Sequence, residues 1–359
     1  MSKIWKVNKA FEDAIKNVMD VTKASQVTID FNQGTATISA FLSYFGAEIK
    51  TKVDGNENDS FDIDGGLLLK AIGGRQGFIL EKEDNSNVLK FKLGNTKGEI
   101  LVRDKSDVNL FHCSEDSMDT MSEAFKTSLF GVFDKLKINS KKVSLDKLDI
   151  QMSCKDGELF YFIGDPFYIQ LYQKENSGVE DIKTRMLLKY MTIVNKIMAQ
   201  EENLKIGLSE GVVCVESDNI VLNFPQISFD GDILPIDTLK SYTTDYFKDE
   251  PEGVVMFKAA EINDFLNQAL AMFDAGGQLT FKSNDGKLLV TIDSEVGKLD
   301  KTFEDVKIKG SIDHKFDLSN LKDCLSKLSG TIKLSCYSAC VLIKTKEIPE
   351  LSYILSYNA

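Results

Sequence analysis

Histidine is nearly absent: the 359 residues hold two, His112 and His314, far apart in the chain. The six cysteines, Cys113, Cys154, Cys214, Cys324, Cys336 and Cys340, form no C-x-x-C pair, and the nearest two stand in "CYSAC". A structural zinc site asks for about four such ligands. No metal is therefore expected, and the thiols read as free, mostly buried groups in a reducing compartment. No apolar run nears the roughly 20 residues of a membrane span. The opening "MSKIWKVNKAFEDAIKN" turns charged too early for a secretory signal. These absences lead to the expectation of a soluble, cytoplasmic protein without a membrane partner.

Signatures of catalysis are missing as well. "GGRQG" (73–77) is too short for a dinucleotide or phosphate loop and reads as a turn after a helix. "DIDGG" starts like a calcium loop but lacks the later ligands. No G-x-S-x-G stands in the chain. Neither a cofactor nor a catalytic residue is assigned. Carboxylates are plentiful, but they fall in turns and on strand faces, where solvated charge is ordinary. The net charge is −12, which argues against holding nucleic acid by bulk electrostatics. It leaves room for lysines gathered on one face.

What the chain does have is a repeat. In "SFDIDGGLLLKAIGGRQGFILEKEDNSNVLKFKLGNTKGEILVR" (60–103) a short strand leads into a short glycine-bracketed helix. Three alternating strands follow, joined by tight turns. "HKFDLSNLKDCLSKLSGTIKLSCYSACVLIKTKEIPELSYILS" repeats that order, with Leu321, Leu325 and Leu328 at helical spacing and Gly330 as the expected helix stop. Its strands are expected to start near Thr331, Ala339 and Leu351. Four further copies can be placed. In the first, Asn8 is a candidate N-cap and Asn32-Gln33-Gly34 a hairpin turn; in another, the turn is Asn284-Asp285-Gly286. Six copies form three pairs. Polar breaks at 112–119 and 243–253 predict three α+β domains at 1–115, 116–246 and 247–359, with antiparallel sheets covered on one face by helices.

Placed on those helices, the basic residues gather. The first helix carries Lys9, Lys16 and Lys23, and the second Lys70 and then Arg75. The middle domain has Lys126, Lys135, Lys137, Lys183, Arg185, Lys189 and Lys196; the last has Lys258, Lys322 and Lys327. Singly these read as a solvated face, together as a surface for sequence-independent phosphate contact.

Three domains of paired strand–helix–three-strand units resemble the DNA sliding clamp of the bacterial type, in a divergent or virus-encoded form. The likeness covers the chain and is sharpest in "HKFDLSNLKDCLSKLSGTIKLSCYSACVLIKTKEIPELSYILS" and in "VEDIKTRMLLKYM". It implies a homodimeric ring whose helices line a hole around duplex DNA, and a processivity factor, not an enzyme. DNA polymerase and a clamp loader are the partners it implies. DNA-facing residues would be Lys9, Lys16, Lys23, Lys70, Arg75, Lys126, Lys135, Arg185, Lys189, Lys196 and Lys322. An apolar pocket for partner peptides would use Phe167 and Ile169 from "GDPFYIQL", Pro225 and Ile227 after "NFP", and Ile354, Leu355 and Tyr357 from the last strand. The family's bacterial members end in a methionine- and proline-bearing tail with a basic finish, whereas this chain ends "SYNA". A carboxylate-based enzyme and a non-ring interaction scaffold are the alternatives.

Overall fold

Asn8 caps the first helix: its backbone is extended and its side-chain oxygen accepts the Phe11 N–H at 3.1 Å. That helix, α1 (Lys9–Thr22), buries Phe11, Ala14, Ile15, Val18 and Val21 along one stripe and leaves Lys9, Asp13 and Lys16 in solvent. The computed structural model describes residues 2–73, 77–112, 119–120, 149–164, 168–175, 181–199, 201–227, 237–238, 240, 245, 247–273, 277–326 and 328–357. The chain divides into two units. Unit one is Met1–Met121 with Tyr190–Ile227, and unit two is Ser122–Lys189 with Ser228–Ala359.

Along the chain, β1 (Ser2–Val7) precedes α1, and β2 (Gln26–Asn32), β3 (Thr35–Leu42) and β4 (Phe45–Lys52) follow it. The order recurs as β5 (Asp59–Asp64), α2 (Gly65–Ile72), β6 (Phe78–Glu83), β7 (Val88–Leu93) and β8 (Thr96–Asp104). The middle of the chain supplies β9 (Asp119–Thr120), β10 (Asp149–Lys155), β11 (Glu158–Gly164) and β12 (Tyr168–Lys174). It continues with β13 (Ile182–Leu187), α3 (Leu188–Met198), β14 (Lys205–Ser209), β15 (Val212–Glu216) and β16 (Ile220–Pro225). The last part runs β17 (Gly253–Lys258), α4 (Ala259–Phe273), β18 (Gln278–Asn284), β19 (Lys287–Ser294) and β20 (Gly297–Phe303). It ends with β21 (Lys307–Gly310), β22 (Asp313–Asp317), α5 (Leu318–Leu325), β23 (Thr331–Cys336), β24 (Cys340–Thr345) and β25 (Leu351–Ser356). The strand–helix–three-strand order read from the sequence is thus the order of five of the six copies, with β21 an additional strand before the last; the helix expected between β9 and β10 lies outside the described residues. None of these helices is long and apolar enough to cross a membrane.

Unit one carries a 12-stranded sheet, β1-β6-β7-β8-β5-β2-β3-β4-β16-β15-β14-β9. Unit two carries a nine-stranded sheet, β13-β10-β11-β12-β25-β24-β23-β17-β21, and a four-stranded one, β20-β19-β18-β22. All pairings among the described strands are antiparallel. Sheet hydrogen bonding runs from the first repeats into β16, and from β12 into the last repeat. For this reason the two units share the middle of the chain between them. In unit two, Val255, Phe257, Ile332, Leu334, Val341, Ile343, Tyr353 and Leu355 point to one side of the sheet and meet the buried faces of α4 and α5.

The turns carry out the sequence's instructions. Gln33 and Gly34 both have positive φ (45° and 81°), as do Asp285 and Gly286 (47° and 76°). Such two-residue hairpin loops match the twist of their strands. Gly330 differs from its expected role. α5 ends at Leu325, and Gly330 (φ 66°) instead leads into β23, where an added Cβ would strike the Glu347 carboxylate. Leu328 is still buried, held by its N–H to the Leu325 carbonyl at 3.1 Å.

Candidate functional site

Residues seven apart on a helix return to nearly the same face. Lys9 and Lys16, with Lys23 at the left-handed C-cap (φ 57°), therefore form an exposed row along α1. Lys9 is held by Glu12 at 3.0 Å and Asp13 at 3.1 Å, and hydrogen bonds to these two carboxylates raise its pKa above the ordinary lysine value. Lys70 is exposed in the last turn of α2. Lys196, in the last turn of α3, reaches Asp20 of α1 at 3.3 Å. Lys189 is half-buried at the start of α3. Lys322 on α5 is also half-buried, and burial lowers its pKa. Arg75, Lys126, Lys135, Lys137 and Lys327 lie outside the described residues.

Arg185 departs from this helical row. It is 5% exposed, on β13, and its guanidinium donates to the Asp149 carboxylate on neighbouring β10. Met186 and Thr184 alternate with it, so Arg185 projects from the sheet face opposite to theirs. A buried, paired guanidinium offers little to a phosphate. The basic "KTRM" passage is better read as a structural ion pair with an exposed neighbour, Lys183, which binds Asp237 at 2.9 Å.

The terminal strand has two faces. Leu351, Tyr353 and Leu355 point into the unit-two core, and Tyr357 packs on the same core. The Tyr357 ring stacks on His314, with centroids 4.2 Å apart and planes 7° off parallel, and meets Phe316 edge-on. Burial drives its hydroxyl far above the usual tyrosine range. Ile354 points the other way. There it joins Tyr337 and Leu342 in a separate apolar cluster, with Ile169, Phe247 and Cys340 packed against it. Phe247 meets Tyr337 edge-on at 4.9 Å. β12 pairs with β25 so that Ile169 stands directly opposite Ile354.

Of the residues named for a peptide pocket, Ile169 and Ile354 therefore share one face. Leu355 and Tyr357 occupy the opposite face, because side chains alternate along a strand. Pro225 ends β16 and Ile227 follows it, both half-buried in unit one. Phe167 lies outside the described residues. Phe247, Tyr337 and Leu342 were not singled out from the sequence. Their signal was the out-pointing position of Leu342 between core-facing Val341 and Ile343.

No family model matches the chain. It is 22% identical over 334 residues to the beta sliding clamp of Mycoplasma capricolum subsp. capricolum, covering 90% of this chain and 84% of that protein. Among solved structures, the beta subunit of the DNA polymerase of Streptococcus pyogenes matches with a TM-score of 0.77 at 12% identity, over 99% of both chains. The Helicobacter pylori beta clamp bound to a DNA ligase peptide matches with a TM-score of 0.76 at 14% identity, again over 99% of both. The chain has the α+β fold of those clamps along its whole length.

Proposed function

We propose that this chain is a DNA sliding clamp, a ring-shaped processivity factor that encircles duplex DNA and tethers a DNA polymerase, placed on DNA by a clamp loader. One regularity in the strand pairings carries the reading. β4, the last strand of a first triplet, pairs with β16, the last strand of the next second triplet; β12 pairs with β25 by the same rule. Applied once more, the rule joins β20 of one copy to β8 of another, and two copies then close a ring. The edges fit that role. β20 pairs only with β19 among the described strands, and Thr96–Leu101 of β8 pair only with β7. Among the described residues the most exposed large apolar ones are Val296 (76%), in the turn that enters β20, and Leu101 (72%), on β8.

In this reading the domains are 1–115, 116–246 and 247–359. The exposed lysines of α1, α2 and α3 face the duplex, and the ring holds DNA by topology in spite of the charge of −12. A partner peptide seats on the cluster of Ile169, Leu342 and Ile354; the Helicobacter relative is likewise a peptide binder, solved bound to a DNA ligase peptide. The ring itself carries out no chemistry. The test is to load the protein on nicked circular DNA and then cut the circle. A topological ring stays on the circle and leaves the linear form; equal retention on both rejects the proposal.

A further inference from the structure

The apolar cluster on the outer sheet face of unit two does not stand alone. Residues directly opposite one another on antiparallel strands share a face. One cross-strand row runs through Ile169, Ile354, Leu342, Ser335 and Val254 to Lys309 on β21. The next row, two residues along each strand, runs through Ser352, Lys344, Lys333 and Met256 to Lys307. Lys333, Lys344 and Lys307 are all exposed. Lys333 and Lys344 are register partners, so two like charges face each other across neighbouring strands. None of these three has an ion pair among the described residues, whereas Lys309 in the first row has Glu250 at 3.7 Å. Desolvation on the sheet, and then the charge of Lys333, lower the pKa of Lys344.

Like charges directly opposite destabilise a sheet. An acidic chain that nevertheless gathers lysines beside an apolar cluster has a surface suited to a ligand with the opposite pattern. We propose that Lys333, Lys344 and Lys307 form a carboxylate-binding extension of the peptide groove, which selects partner segments carrying Asp or Glu next to their apolar anchor. This rests on the groove reading given above. The spacing suits it. Lys344 is two residues from Leu342, about 7 Å along the strand, and Lys333 is about 5 Å further across. An extended peptide seated on Leu342 and Ile354 brings a carboxylate two to four residues from its anchor onto these ammonium groups. Nucleic acid is the poorer fit. The stripe is on the sheet face opposite α4 and α5, abuts apolar side chains, and offers too few charges for a phosphate backbone.

Two labelled synthetic peptides test this, sharing one apolar anchor and differing only in flanking Asp against Asn. Both are titrated by fluorescence polarisation against the full-length protein, Lys333→Ala/Lys344→Ala and Ile354→Asp. Two exposed ion pairs predict that the Asp peptide binds the unaltered protein about two- to thirty-fold more tightly at low salt. That gain should vanish in the double variant and at high salt, while Ile354→Asp weakens both peptides. Equal binding of the two peptides overturns the stripe and leaves the groove standing. Binding of neither overturns both. A thymidine oligonucleotide of matched charge that binds through Lys333 and Lys344 where the Asp peptide does not assigns the stripe to nucleic acid and likewise overturns the proposal.

Discussion

Asn223 holds both backbone polar groups of Phe111: the Phe111 N–H donates to its Oδ1 at 2.9 Å, and its Nδ2 donates to the Phe111 carbonyl at 2.8 Å. Phe111 is thereby laid over Val212 and Cys214 of β15. In unit two the corresponding strand position is Ile354, opposite Ile169 as Asn223 is opposite Gly46, and Phe247 packs against the apolar cluster that Ile354 joins. Two positions of equal topology are thus a clasping amide in one unit and a buried apolar side chain in the other. Asn223→Ala should cost about 1–3 kcal/mol in stability, since buried amide groups lose their partners. Hydrogen exchange at the Phe111 amide should quicken by the same change and be untouched by Ile354→Ala.

Arg185 and Asp149 test the difference between structural and DNA-facing charge. Asp149→Ala removes the carboxylate paired with the buried Arg185 guanidinium and should cost about 3–5 kcal/mol by urea denaturation. Joint replacement by Asp149→Leu and Arg185→Met should restore most of it. In the double variant, retention on nicked circles should equal that of the unaltered protein.

The exposed helical lysines should behave in the opposite way. Lys16→Ala, Lys23→Ala and Lys70→Ala, combined, should leave the melting temperature within about 1 °C, because exposed side chains without buried partners contribute little. They should flatten the salt dependence of DNA association by roughly one unit of slope for each phosphate no longer neutralised. An unchanged slope would remove these residues from the DNA face.

Like-charge repulsion on the outer sheet predicts a stabilising substitution. Lys344→Thr relieves Lys333 and suits a strand, so it should raise stability by roughly 0.2–1 kcal/mol at low salt. The gain should shrink at 1 M salt, where the screening length is about 3 Å.

His314 supplies a pH dependence. Burial, opposed by Glu252 and Asp313, holds its pKa below the ordinary value, so the native state prefers the neutral ring. The unfolded chain takes up the proton first, and stability should therefore fall as pH drops below about 6.5. Comparing His314→Gln with the unaltered protein by thermal melts between pH 5 and 8 isolates this share. The two curves should run parallel above pH 7.5 and converge toward pH 5. The stacked Tyr357 offers a fluorescence signal for the same event.

Much of the fold is legible in the sequence because local rules suffice for it. The cap at Asn8, the hairpins at Gln33-Gly34 and Asp285-Gly286, and the alternation of β23 to β25 depend on neighbours in sequence. The strand–helix–three-strand repeat is the sum of such signals. What sequence does not supply is the partner of each edge. Nothing near Gly46 announces Asn223, and nothing near Ile169 announces Ile354. Site residues suffer for the same reason. Nearness in the chain groups Leu355 and Tyr357 with Ile354, although alternation sends them to the opposite face. Arg185 resembles its basic neighbours in sequence, yet Asp149, 36 positions earlier, buries its charge.

The joining of β4 to β16 also bears on how the protein is made. Residues 45–52 leave the ribosome long before residues 220–225, and at roughly 5–20 residues per second the interval is on the order of ten seconds or more. During it, β4 is a sheet edge with no neighbour on one side, the kind of surface on which nascent chains stick to one another. Lys50 and Lys52, near the end of that strand, give the waiting edge a charge. Replacing them should leave the finished protein nearly unchanged and lower the yield of soluble chains during synthesis.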